Sequence, residues 1–160
     1  MNPRYGKSQN PALLDVSALM AGEMRTMPFE RQFVMHLKED EYALREPAVM
    51  AGTLTNMAGY ITFEATLTVK YTAVCCRCLD ETVQTFTLDL DYPVADQLEN
   101  SDTEEYLIPV AGKIDLEELA RLHFMLHLPY RHLCREDCKG LCPRCGHNLN
   151  REACSCQPEL

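Results

Sequence analysis

Nine of the 160 residues are cysteines, and six of them crowd into residues 134 to 156. An odd count fits poorly with a disulfide framework, whereas thiolates at short spacings in a reducing compartment hold metal ions. Cys75 and Cys78 form a C-x-x-C pair. A tight turn at that spacing brings two sulfurs within reach of one tetrahedral ion, at Zn–S ~2.3 Å. One pair is half a site, and Cys134 and Cys138, spaced C-x-x-x-C, supply the other half. Cys142 and Cys145 form a second knuckle inside C-P-R-C-G, where Gly146 lets the backbone turn back. Cys154 and Cys156 are left to complete it, giving C-x2-C-x8-C-x-C. The spacing therefore predicts two four-cysteine sites, each holding one structural zinc ion.

Other chemistry competes with this reading. A C-x-x-C pair is redox-active in thioredoxin-like proteins, but there it belongs to a βαβ unit, and the flanking sequence here reads as a hairpin. Four thiolates also suit an iron–sulfur cluster, although the hairpin knuckle favours zinc. His132 or His147 could replace a cysteine, yet eight cysteines already fill two tetrahedra. Cys76 lies between two ligands and is expected to point away from them as a small buried residue. His123 and His127, at i and i+4, could share a metal, but no Glu follows His123 as in H-E-x-x-H. A four-thiolate ion has no open position for water, so hydrolytic chemistry is disfavoured. There is no P-loop, Rossmann glycine pattern or G-x-S-x-G, and no enzyme or small-molecule substrate is expected.

The elements that position these cysteines are legible from periodicity. Ile61, Phe63, Ala65, Leu67, Val69, Tyr71 and Ala73 share one face of a long strand, with Thr62, Glu64, Thr66, Thr68, Lys70 and Thr72 on the other. Phe86, Leu88, Leu90 and Tyr92 mark a second strand, so Cys75 to Glu81 is expected at a hairpin tip. Val49 to Thr55 reads as a shorter strand ending in a turn at Asn56 to Gly59, and Arg31 to Lys38 as a fourth. Leu13 to Met27 holds a short helix. Asp115 to Leu128 is the main helix, with Asp115 as cap, Glu118 three residues on, and Pro129 as its stop. Leu116, Leu119, Ala120, Leu122, Met125 and Leu126 make its apolar face, widened by Phe124 and Leu128. The acid run Ala95 to Glu105 reads as a solvated loop.

These elements predict an α+β fold: an antiparallel meander of about four strands packed on one main helix, with a zinc-organised C-terminal tail. Residues 1–12 are expected to be flexible, 13–138 to form the α+β domain, and 139–160 a small four-cysteine module. The N-terminus carries no apolar signal segment and no stretch suits a membrane span, so a cytoplasmic protein without membrane contact is expected.

The net charge is −9, which argues against nucleic-acid binding by the whole surface. The distribution is uneven. Arg121 to Arg151 holds six bases against two acids, a local +4, and the remainder carries −13. Arg131, Arg135, Lys139 and Arg144 are the candidate RNA contacts. Bases also neutralise the formal −2 of a zinc ion with four thiolates. Tyr130 is the only aromatic residue after Phe124, which weakens base stacking as a binding mode.

The run from Leu133 to Asn150, with C-K-G-L-C-P-R-C-G inside it and Cys154-Ser-Cys156 beyond, resembles the tail of the YceD family, named for accumulation of the large-subunit ribosomal RNA. Cys75-Cys-Arg-Cys-Leu79 resembles its C-x-R-C-L element, and Ile114 to Pro129 and the Leu-Asp-Val at Leu14 are similar to it too. The resemblance implies a non-enzymatic factor in ribosome biogenesis. Its partner would be precursor ribosomal RNA or a large-subunit ribosomal protein. In the family the widespread cysteine elements map to Cys75, Cys78, Cys134 and Cys138. Some relatives lack those that map to Cys142, Cys145, Cys154 and Cys156, in keeping with a division into two sites. An adaptor that never touches RNA, using the acidic region to bind a basic ribosomal protein, is the competing expectation.

Overall fold

A computed structural model describes residues 10–37, 42–96 and 106–156. Along them run β1 (Leu13–Asp15), α1 (Ser17–Met20), β2 (Thr26–Phe33), β3 (Ala43–Leu44), β4 (Ala48–Met57), β5 (Tyr60–Val74), β6 (Glu81–Val94), β7 (Lys113–Asp115) and α2 (Leu116–His127). The expected solvated loop falls largely on residues 97–105, outside the described residues, as do residues 1–9.

β5 is the centre of the main sheet. β4 and then β2 lie on one side of it and β6 on the other, all antiparallel. β3 adds a two-residue pairing with Tyr71 and Thr72, beyond the end of β4. The expected four-strand meander is therefore β2-β4-β5-β6. A separate pair, β1 with β7, stands beside it and feeds directly into α2.

The period-two pattern sets which face is inside. Ile61, Phe63, Ala65, Leu67, Val69, Tyr71 and Ala73 are all buried, joined by Met50 and Leu54 of β4, Phe29 and Phe33 of β2, and Phe86 and Leu90 of β6. α2 closes over this face. Its Phe124 ring lies 5.2 Å from Tyr71 and 5.4 Å from Phe86, both edge-on. Burying side chains of this size contributes roughly 1.5–3 kcal/mol each. The cap is as expected, with the Glu118 N–H donating to Asp115 Oδ1 at 3.1 Å.

Four expectations need correction. The apolar face of α2 is narrower than read. Leu116, Leu119, Ala120, His123 and Phe124 are buried, whereas Leu122, Met125 and Leu126 are exposed. Only one stripe of a helix meets a single sheet, and this stripe includes a histidine, which a hydrophobic count passes over. Secondly, β2 begins at Thr26 and stops at Phe33, so the strand read at Arg31 to Lys38 is displaced. Pro28 hides it: proline disfavours a strand, except at a sheet edge, which is where β2 lies. Thirdly, the packed structure includes Ala12, which falls within the segment expected to be flexible. Ala12 is buried, and its carbonyl accepts the Leu116 N–H at 2.8 Å, because the β1–β7 pairing draws it in. Fourthly, Cys76 is exposed rather than buried.

The β4–β5 turn is a two-residue one. Ala58 and Gly59 both take positive φ, at 54° and 94°, and Asn56 Oδ1 accepts the Gly59 N–H at 2.9 Å. That handedness matches the strand twist and fixes the register of the longest strand.

Candidate metal centres

The β5–β6 hairpin closes at the pair Val74 and Glu81, leaving Cys75 to Asp80 as its tip. The tip is shaped by its own backbone. The Cys75 N–H donates to the Asp80 carbonyl at 2.9 Å, and the Leu79 N–H returns to the Cys75 carbonyl at 3.0 Å. Leu79 takes φ 62° to close the loop. The result is a knuckle that sets two cysteines side by side.

The other half-site arrives from α2. Past Pro129 the chain is held to the hairpin by His132, whose carbonyl accepts the Cys76 N–H at 2.9 Å and whose Nε2 lies 2.9 Å from the Tyr71 hydroxyl. The Arg77 guanidinium reaches the Cys138 carbonyl at 3.1 Å. These contacts bring Cys134 and Cys138 over the knuckle. Cys75 Sγ lies 3.8 Å from Cys138 Sγ, and Cys78 Sγ lies 3.7 Å from Cys134 Sγ. A regular tetrahedron of sulfurs around zinc at ~2.3 Å has edges of about 3.8 Å, so the four donors fit one ion in type and in spacing. Cys75, Cys78 and Cys138 are buried, with Leu133 packed beside them.

The second quartet is nearly sequential. The sulfurs of Cys142, Cys145, Cys154 and Cys156 lie within 4.8 Å of one another, as do those of the first quartet. The Gly146 N–H donates to the Cys142 carbonyl at 2.9 Å, and the Cys142 N–H to the His147 carbonyl at 2.8 Å. Gly146 has φ 74°, the left-handed conformation expected of it. Each quartet could hold one metal ion.

Electrostatics differ between the thiols. Burial opposes ionisation of Cys75, but backbone N–H groups of Cys78, Cys134 and Arg77 outweigh it and pull the thiol down to about 6. In the second quartet the backbone N–H groups of Cys145 and Arg144 pull Cys142 down to about 6. The Asn150 side chain lowers Cys138, its largest influence. Cys156 is pushed up to about 12, first by its neighbour Cys145. Backbone donors turned on sulfur are what a thiolate site needs, since the thiolate is the ligand.

The two quartets are joined by contacts that spacing does not reveal. Asn148 Nδ2 donates to Asp80 Oδ2 at 2.9 Å, and Arg151 reaches Asp80 Oδ1 at 3.2 Å. Asp80 ends the first knuckle, and both partners lie in the loop of the second. The Leu141 N–H donates to the Arg77 carbonyl at 3.2 Å. Asp80, Asn148 and Asn150 were not among the expected site residues, because no residue type marks an asparagine in a polar loop as structural.

The remaining candidates resolve plainly. His123 Nε2 lies 2.6 Å from the Tyr92 hydroxyl, and His127 Nδ1 lies 3.0 Å from the His123 carbonyl. Neither belongs to a metal cluster among the described residues, nor do His132 and His147. Arg131, Arg135, Lys139 and Arg144 are all exposed. Arg135 is engaged within the chain, with Asp137 at 3.2 Å and Asn150 Oδ1 at 2.9 Å.

Residues 63–160, which contain all eight clustered cysteines, match the family model described as "Large ribosomal RNA subunit accumulation protein YceD". The chain belongs to the YceD family. YceD relatives include an uncharacterized protein of Mycobacterium tuberculosis and one of Mycobacterium bovis, each 38% identical over 82 residues, or 49% of this chain and 40% of the relative. An uncharacterized protein of Mycobacterium leprae is 31% identical over 88 residues, 52% of this chain and 41% of the relative. The matched part thus spans about two-fifths of these relatives' length. No solved structure matches this YceD chain. Among the described residues no helix is long and apolar enough to cross a membrane.

Proposed function

We propose that this chain is a non-enzymatic factor that supports accumulation of large-subunit ribosomal RNA, acting in ribosome biogenesis in the cytoplasm, with structural zinc in both quartets. The family match carries the reading: it covers 63–160, and so all eight ligands and the helix that delivers half of the first quartet. The donor chemistry supports the zinc part. Four thiolates at tetrahedral spacing suit zinc, and they close its shell, leaving no position for a reacting water. Zinc here staples a hairpin tip to the segment after a helix and folds a tail that has almost no apolar core of its own. The exposed bases Arg131, Arg135, Lys139 and Arg144 flank the ligands in the chain, and their charge suits RNA phosphate. The test is the ratio of large- to small-subunit ribosomal RNA in cells depleted of the protein. A selective fall in the large-subunit RNA supports the reading, and an unchanged ratio contradicts it.

One observation favours a second reading, a zinc-stapled adaptor for a basic ribosomal protein without RNA contact. The outer face of the sheet gathers acids. Glu64 pairs with Asp91 across β5 and β6, and Asp89 lies two pairs further on, on the same face, opposite Thr66. Direct RNA binding predicts retention that falls steeply with salt and weakens when Arg131, Arg135, Lys139 and Arg144 become alanine. The adaptor predicts a protein partner and no RNA retained at ~0.15 M salt.

A further inference from the structure

Asn150 lies in the loop between Cys145 and Cys154, inside the second quartet, yet its side chain touches the first. Its carboxamide oxygen accepts the Lys139 N–H at 2.8 Å and the Arg135 guanidinium at 2.9 Å. Both of these groups are donors only, which fixes the orientation of the amide. The NH2 therefore faces Cys138 Sγ, at 3.3 Å. The Asn150 N–H is itself held by Asn148 Oδ1 at 3.0 Å, and Asn148 is held by Asp80 at the tip of the first knuckle.

We propose that Asn150 is a positioning residue of the first metal centre, supplied by the loop of the second, so that the two centres gain and lose metal as a coupled pair. The inference rests on the reading of both quartets as zinc sites.

The argument is one of anchoring. Among the described residues after Cys138, only Gly140 and Cys142 are buried, so no apolar core holds the loop from Gly146 to Ala153. Its ends are fixed by the ligands Cys145 and Cys154. With an ion in the second quartet the loop is pinned at both ends, and Asn150 stands against Cys138. Without one, the loop gains chain entropy and the donor leaves the sulfur. A hydrogen bond to a ligand atom orients it and tunes the metal, and losing such a partner typically costs 10–100-fold in affinity. Linkage makes the effect mutual: if filling the second centre tightens the first, filling the first tightens the second by the same factor. The close fit at Gly140 points the same way. Its φ is 74°, and a Cβ there would lie 3.1 Å from the Arg77 carbonyl, so the backbone that connects the centres is seated directly on the first knuckle.

The experiment uses the full zinc-loaded chain. A chelator strips the metal while N-ethylmaleimide labels each cysteine as it is released, and peptide mass analysis gives a rate for each quartet. With the second centre emptied by Cys154→Ser and Cys156→Ser, Cys75, Cys78, Cys134 and Cys138 are expected to be labelled roughly 10–100-fold faster than in the parent. Asn150→Ala should loosen the first quartet comparably. Asn150→Asp keeps the acceptor for Lys139 and Arg135 but removes the donor, and it should do the same. A first quartet whose labelling rate is unchanged in all three variants overturns the coupling. An untreated chain that carries no zinc overturns the zinc reading first and the coupling with it, and intact native mass separates the two failures.

Discussion

Cys75 and Cys138 are 63 positions apart in the chain, and their sulfurs are 3.8 Å apart in the fold. The closure depends on little but the ligands and a few polar contacts, since among the described residues the hydrophobic side chains packed on the small cluster they form with Cys78 are Leu133 and the ligand Cys134. A structural zinc site is worth ~10–16 kcal/mol in small modules, as much as the whole stability of many domains. Chelation should therefore release residues 75–80 and 132–138 together. Amide exchange is the measurement: protection there should fall while Leu54 and Phe63, paired in the middle of the sheet, keep theirs. Equal loss in both regions would contradict a local staple.

Acid should empty both centres. Metal binding displaces thiol protons, so affinity falls with pH. Cys75 and Cys142 are the thiols held lowest, at about 6 in each case. A depressed thiol stabilises the folded form above its ordinary value of 9.0, and that contribution is lost as pH falls through about 6. Zinc retained on the protein, followed by pH titration with a metal indicator, should be full at neutral pH and fall on acidification, with release below about 6 because a bound ion competes with the proton for each sulfur. Retention that does not change with pH would contradict it.

The two sides of α2 should answer differently to truncation. Phe124 is fully buried among Phe86, Tyr71 and Tyr42, so Phe124→Ala should cost roughly 3–5 kcal/mol in denaturant unfolding. Leu126 is 68% exposed, and Leu126→Ser should stay within about 0.5 kcal/mol of the parent. Comparable costs would mean that the broader apolar face read from sequence is the true one.

Two glycines with the same φ of 74° make a matched pair. A Cβ at Gly146 meets nothing within 4 Å, so Gly146→Ala carries only left-handed strain, about 1–2 kcal/mol. Gly140→Ala adds a contact with the Arg77 carbonyl. It should be the more destabilising, and it should speed zinc loss from the first quartet directly and by more than Gly146→Ala does through the coupling of the two centres. Identical behaviour would show that the tail is not seated on the knuckle.

Much of this was legible in the sequence for a physical reason. Alternation from Ile61 to Ala73 encodes a face, and every one of those seven apolar residues is buried. Thiolate spacing encodes a site because ligand geometry is rigid. Both quartets come together as spacing and the C-x-R-C-L resemblance suggested. Less was legible where the determinant is tertiary. β2 is hidden by Pro28, which only an edge position tolerates. His123 sits in the buried stripe of α2 because Tyr92 supplies its partner from across the fold. Asn150 carries no signal at all, since its role exists only once two cysteine sites are adjacent.

The most direct measurement is the metal content of the intact chain by native mass spectrometry, with elemental analysis for identity. The account predicts two zinc ions per chain, lost on unfolding. One ion per chain, or iron in place of zinc, would contradict it.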